Sequence, residues 1–189
     1  GGGLLAGSIV GAVMAVRVAM TSMPQMVAVL NGFGGAASLL VALAFLLQHD
    51  LSVAGELRLH ALFSIDAAIA LLLSILIGAV TFTGSMIAFL RLQGILSSRP
   101  FVFPLQQSFN LIVGVLTSVF AFRLGFVATG ESSLLCTLIL FSALALSLGV
   151  LLVLPIGGAD MPVVIALLNS YSGIAASMTG FVVQNNLLI

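Results

Sequence analysis

The sequence predicts an all-α fold: a polytopic transmembrane bundle of about six membrane helices. Three observations carry this. Of 189 residues, 61% are hydrophobic and 5% are charged, against about 25% charged in a soluble globular domain. The mean hydropathy is +1.36. Apolar runs near the length a membrane span needs, about 20 residues, recur along the chain, with the charged residues gathered near their ends. Five basic and five acidic residues cancel, so no basic patch points to nucleic acid. The lone Cys136 excludes a disulfide within the chain and, in its apolar run, reads as a buried or lipid-facing small residue.

The elements follow in order. Gly3–Val18 is short and Gly-rich. It lacks the basic start of a signal peptide and reads as part of a membrane helix. The chain does not start with Met, and Gln184–Ile189 looks like the onset of another apolar run, so the sequence reads as a piece of a longer protein. Thr21-Ser22-Met23-Pro24 reads as the cap and first turn of Pro24–Leu47. Proline is tolerated there because first-turn N–H groups have no intrahelical partner. Gln48–His60, with His49, Asp50, Glu56, Arg58 and His60, is a polar loop in which both histidines read as exposed. Leu62–Leu90 carries Asp66 near one end, as an interfacial residue, and Thr81-Phe82-Thr83-Gly84-Ser85 near the other. Arg91–Pro104, with two prolines, is a loop. Phe109–Val127 and Leu134–Leu154 follow, separated by Arg123, Gly130 and Glu131. Pro155–Asp160 reads as a tight turn ending in a capping acid, and Met161–Val183 is the last span. All of 1–189 reads as a single transmembrane domain. Arg17, Arg91 and Arg99 fall at one end and Arg58 and Arg123 at the other, which puts the Arg91–Pro104 end in the cytoplasm.

One phrase occurs twice. Met23–Ser38 and Met161–Ala176, offset by 138, share seven residues: Met, Pro, Ala28/Ala166, Leu30/Leu168, Asn31/Asn169, Gly35/Gly173 and Ala37/Ala175. Both helices then start at the same membrane face and run parallel. Each asparagine lies seven residues past its proline, about 10 Å into the membrane at 1.5 Å per residue. Small residues nearby (Gly34, Gly35 and Ser38; Ser172, Gly173, Ala176 and Gly180) allow close helix packing, across which an asparagine can bond. The hydroxyls of Leu62–Leu90 fall at the same depth. The expectation is a polar layer in the cytoplasmic third, built from Asn31, Asn169, Ser170, Ser172, Thr81, Thr83 and Ser85. It is either packing glue, with hydroxyls bonded to their own i−4 carbonyls, or a functional path. Gly32-Phe33-Gly34-Gly35-Ala36-Ala37 fits a dinucleotide fingerprint but sits in mid-helix with no strand before it, so it reads as packing. No metal cluster, nucleophile triad or phosphate loop appears in the sequence.

Longer phrases add a resemblance. Gly157–Val164, Leu168–Gly173, Gly78–Ser85, Ser97–Pro100 and Met23-Pro24 closely resemble the membrane domain of the beta subunit of proton-translocating NAD(P) transhydrogenase. The resemblance implies an enzyme that couples hydride transfer between NAD(H) and NADP(H) to proton passage. This chain would be its membrane portion, unable to transfer hydride alone. It implies no cofactor bound here, NADP(H) and NAD(H) being held in extramembrane domains. It implies partners: alpha-type subunit helices with the NAD(H) domain, an NADP(H) domain C-terminal to these helices, and a dimer of alpha-beta units. The setting is the bacterial cytoplasmic (inner) membrane. Many relatives carry a histidine at the position of Asn31. Here either a partner helix supplies the titratable group, or water held by Asn31 and Asn169 carries the proton. Asp160 would face the docked NADP(H) domain and couple proton arrival to it. The rivals are a secondary transporter of a small solute and a purely structural membrane subunit.

Overall fold

A computed structural model describes residues 2–48, 59, 63–127 and 131–185. His49, Asp50, Glu56, Arg58 and His60 lie outside the described residues. The described helices are α1 (Gly2–Arg17), α2 (Met23–Gln48), α3 (Ile65–Leu92), α4 (Gln106–Phe126), α5 (Glu131–Val153) and α6 (Met161–Val183). The fold is an all-α polytopic bundle. Five of the helices, α2 to α6, are long and apolar enough to cross a membrane. α1, at 16 residues, is shorter, buries none of its residues and packs on no other helix to any extent. Among the described residues, the expected six spans are therefore five plus one short apolar helix.

Helix α3 is the hub. It packs against α2, α5 and α6, while α2 also meets α6 and α4 leans on α5. Its composition explains this role. Ala68, Ala70, Gly78, Ala79, Gly84 and Ala88 are all buried, and small residues let several helices approach at once. Backbone meets backbone where Gly35 lies against Gly78. A Cβ on either glycine would lie 2.8 Å from the carbonyl oxygen of the other. Gly149 of α5 plays the same part against the backbone of Val80, where an added Cβ would lie 2.5 Å from the carbonyl oxygen. Leu46, Leu71, Ile75, Leu124 and Phe141 form the core at one end. Ala28, Ala88, Met161, Ile165 and Leu168 form it at the other.

Helices α2 and α6 both run against α3 and so are parallel to each other. Gln25 at the start of α2 donates to the Leu92 carbonyl at the end of α3 (3.1 Å). Each of the two helices is preceded by a single 3-10 turn, Met20–Ser22 and Gly158–Asp160, that runs directly into Met-Pro. The repeated phrase thus encodes a repeated local structure. The Pro sits in the first turn of α6, where its missing N–H is no loss.

The two connections at this end form one layer. The Gly158 N–H donates to the Ser98 carbonyl (2.9 Å), and the Phe101 N–H donates to the Leu154 carbonyl (3.1 Å). Arg91 was placed in the loop by the sequence. It lies instead in the last turn of α3, 4% exposed, with its guanidinium donating to the carbonyls of Leu154 and Ile156. Those carbonyls flank Pro155 at the end of α5 and lack helical donors, so a cation there is favoured.

Candidate functional site

The polar layer forms around Asn31. Its side chain is buried, 6% exposed. Nδ2 donates to Ser85 Oγ of α3 at 2.9 Å, and Oδ1 accepts from Ser172 Oγ of α6 at 2.7 Å. The same Ser172 hydroxyl is within 2.8 Å of the Asn169 carbonyl. With one proton to give, it shares or alternates between the two acceptors. Three helices are therefore joined by one buried amide. Gly32 makes room for this. A Cβ there would press on the Cβ of Ser85 at 3.3 Å. With Gly32 and Gly35 filled by α3, this glycine run leaves no cradle for a dinucleotide.

Thr81 lies one turn from Ser85 on the same face of α3 and is fully buried. Its hydroxyl oxygen has no partner. About two turns deeper, Ser74 Oγ lies 3.0 Å from Thr179 Oγ1 and 3.3 Å from the Ala175 carbonyl of α6. Sequence reasoning missed Ser74 and Thr179. The signal was present: Ser74, Gly78, Thr81 and Ser85 are spaced four, three and four residues apart, which is one stripe of a helix. All four are buried. The stripe covers about 16 Å of helix axis.

The remaining expected residues divide differently. Thr83 Oγ1 is close to the Ala79 carbonyl four residues back (3.1 Å) and to the Leu146 carbonyl of α5 (2.8 Å). It holds α3 to α5 and points away from Asn31. Ser170 Oγ bonds the Ala166 carbonyl in its own helix at 3.3 Å and is exposed. Both are local or packing bonds. Asn169 is exposed to the outside of the bundle. It borders a cavity of about 390 Å³ between the starts of α2 and α6, with Met23, Pro24, Val27, Pro162 and Ile165. Asn169 and Asn31 are linked only through Ser172. Gly34 and Gly173, expected at close contacts, face open space.

Asp160 is a correction. It stands at the start of α6, but its side chain makes no capping hydrogen bond, and its backbone is helical (φ −91°, ψ −1°). The 3-10 turn feeding α6 supplies the geometry instead, and the carboxylate is exposed on the Ser98–Gly158 layer. Asp66 is exposed in the first turn of α3, where the helix dipole favours a negative charge. Cys136 is exposed on α5. Among the described residues, no group of three His, Cys, Asp or Glu could hold a metal ion.

The sequence profile of the NAD(P) transhydrogenase beta subunit matches residues 2–189. This chain belongs to that family. Two curated proteins named NAD(P) transhydrogenase subunit beta, both from Rhodospirillum rubrum and one of them from a named strain, are each 41% identical to it over 186 residues. The match covers 97% of this chain and 38% of each relative. In this member of the transhydrogenase beta family, the matched stretch is a membrane part with five helices of spanning length among the described residues, three of them joined by the Ser85–Asn31–Ser172 chain.

Proposed function

We propose that these helices carry the proton path of a transhydrogenase and couple proton passage to hydride transfer between NAD(H) and NADP(H) in extramembrane domains. The observation that supports this best is the buried stripe on α3. Ser85 is bonded through Asn31 to α6, Thr81 carries an unpartnered hydroxyl, and Ser74 meets Thr179 deeper in the bundle. A purely packing role accounts for bonded pairs but leaves the Thr81 hydroxyl unexplained, because an unmet buried polar group is destabilising by about 1–3 kcal/mol. A water between Thr81 and Ser85, one turn apart, would satisfy it and extend the Ser85–Asn31–Ser172 chain along α3 toward Ser74. None of these side chains titrates near neutral pH. They orient water, and a partner helix of the alpha-type subunit supplies the titratable group. NADP(H) binds in a domain docked on the Ser98–Gly158 layer near Asp160. The whole enzyme is a dimer of alpha-beta units in the bacterial cytoplasmic membrane.

The test uses the whole enzyme reconstituted in vesicles. Thr81→Val removes the hydroxyl and keeps the shape. The proposal expects NADP(H) binding and assembly to hold while proton-coupled turnover falls at least about tenfold, equivalent to about 1.4 kcal/mol on the barrier. Unchanged pumping in Thr81→Val and in Ser74→Ala removes the stripe from the path. Orientation is tested separately. In a Cys136→Ala background, Ser98→Cys should react with an impermeant thiol reagent from the cytoplasmic side alone.

A further inference from the structure

Away from the α3 stripe, a second set of buried polar atoms stands without partners. Gln106 begins α4 and is 6% exposed, yet neither its Oε1 nor its Nε2 has a hydrogen-bond partner. One turn on, the Asn110 Oδ1 is also buried and unpartnered. Both residues line a cavity of about 530 Å³ that Phe103, Leu105 and Pro155 help to wall. Such groups are rarely left bare in a native protein, because a buried amide without a partner forfeits its hydration.

The shape of the space narrows what could meet them. Asn110 also borders a second cavity of about 650 Å³, lined by Leu76, Gly114, Val115, Ser118 and Leu148. This one is a groove running along α4 where it lies over α3 and α5. It starts at the polar chamber and continues toward the middle of the span, past exposed Leu111, Val115 and Val119. The chamber sits at the Arg91 end of the bundle, at the helix start, where headgroups lie. A polar chamber at headgroup depth that opens into an apolar groove at acyl-chain depth has the form of one amphiphile.

We infer that this is a binding site for a bilayer phospholipid, with its headgroup against Gln106 and Asn110 and an acyl chain along α4. The atom types select the headgroup. Two of the three unpartnered atoms are carbonyl oxygens and need a donor. The third is an amide N–H₂ and needs an acceptor. Phosphate and ester oxygens supply the acceptor in any phospholipid. A headgroup with N–H or O–H groups, such as ethanolamine or glycerol, supplies the donors. Choline has none. No charged side chain lines the chamber, so selection rests on hydrogen bonding and not on net charge.

The experiment uses the whole enzyme in nanodiscs doped with a phosphatidylethanolamine carrying a photoactivatable acyl chain. Crosslinked peptides are mapped by mass spectrometry. The expected result is crosslinking to residues 111–119, competed at least about tenfold better by unlabelled phosphatidylethanolamine than by phosphatidylcholine. Gln106→Leu/Asn110→Leu should cut that crosslink several-fold and leave crosslinks at the exposed faces of α1 and α5 unchanged. Because that double variant removes buried polar groups and could disturb folding, Gly114→Phe is the second arm. It fills the groove at a position where a side chain meets open space and should also abolish the crosslink. Equal competition by phosphatidylcholine overturns the headgroup selection. Absence of any crosslink to 111–119 in the assembled enzyme overturns the site and assigns the groove to a partner helix.

Discussion

Helices α2 and α6 start from the same phrase and finish with opposite surroundings. Each begins with a 3-10 turn and Met-Pro, and each places an asparagine seven residues past the proline. Asn31 is buried and bonded on both sides. Asn169 looks out of the bundle beside the gap between the two helix starts. Gly35, four residues past Asn31, touches the α3 backbone, while its counterpart Gly173 touches nothing. The difference lies in how each helix is rotated about its axis. In α2 the face turned inward carries Ala28, Asn31, Gly32, Gly35 and Ser38. In α6 the inward face is Met161, Val164, Ile165, Leu168 and Ala175, one residue out of phase with the asparagine. A shared helix start therefore does not imply a shared face, and the two asparagines are not equivalent parts of one device.

The comparison can be broken most directly at the glycines. Gly35→Leu places a side chain into the Gly78 carbonyl at 2.8 Å and the Phe82 nitrogen at 2.9 Å. Neither backbone can yield, so the bundle should lose about 3 kcal/mol or fail to assemble. Gly173→Leu should leave the melting temperature of the detergent-purified protein within error, a change of about 0.5 kcal/mol or less. Equal losses at both positions mean that α6 is rotated so as to bury Gly173.

The asparagines give the next largest contrast. Asn31→Leu removes the partner of the Ser85 hydroxyl and leaves Ser172 bonded to the Asn169 carbonyl alone, and should destabilise by about 1–2 kcal/mol, allowing for the modest worth of interhelical bonds in membranes. Asn169→Leu removes an amide from an exposed face and should change stability by about 0.5 kcal/mol or less. Thermal unfolding of the two variants, side by side, reads this directly. A larger loss for Asn169→Leu reverses the assignment of inside and outside.

The smallest effect sharpens the role of the α6 start. Asp160 forms no side-chain cap, so Asp160→Asn should shift stability by no more than about 0.5 kcal/mol. Any change in NADP(H) affinity of the whole enzyme then reports the charge and not the fold. Asn caps a helix as well as Asp, so the cap itself is tested by Asp160→Ala, where a stability loss of about 1 kcal/mol or more restores the cap that the sequence suggested.

Much of this was legible in the residues alone. Hydropathy marks the helices because a span must satisfy its backbone within itself and cover it with apolar side chains. The repeated Met-Pro start was readable because a proline belongs in a first turn. The phrases around Gly157–Val164 and Gly78–Ser85 carried the family. The stripe Ser74–Gly78–Thr81–Ser85 was there to be read by its spacing, and only its lower half was. The loop position of Arg91 and the cap at Asp160 were misread because both depend on the connections folding onto each other, with Ser98 against Gly158 and Arg91 against the carbonyls around Pro155.

What the residues determined by themselves is which segments are helices, that two of them start at Met-Pro, and that polar groups recur at one depth. What only the tertiary structure decided is the rotation of each helix, and with it that Asn31 faces Ser85 and Ser172 while Asn169 faces out. The physical reason is the solvent. In water an apolar stripe marks the inward face of a helix. In a bilayer, lipid and protein interior are equally apolar, so hydropathy carries no rotational signal and close packing through Gly35, Gly78 and Gly149 sets the angle.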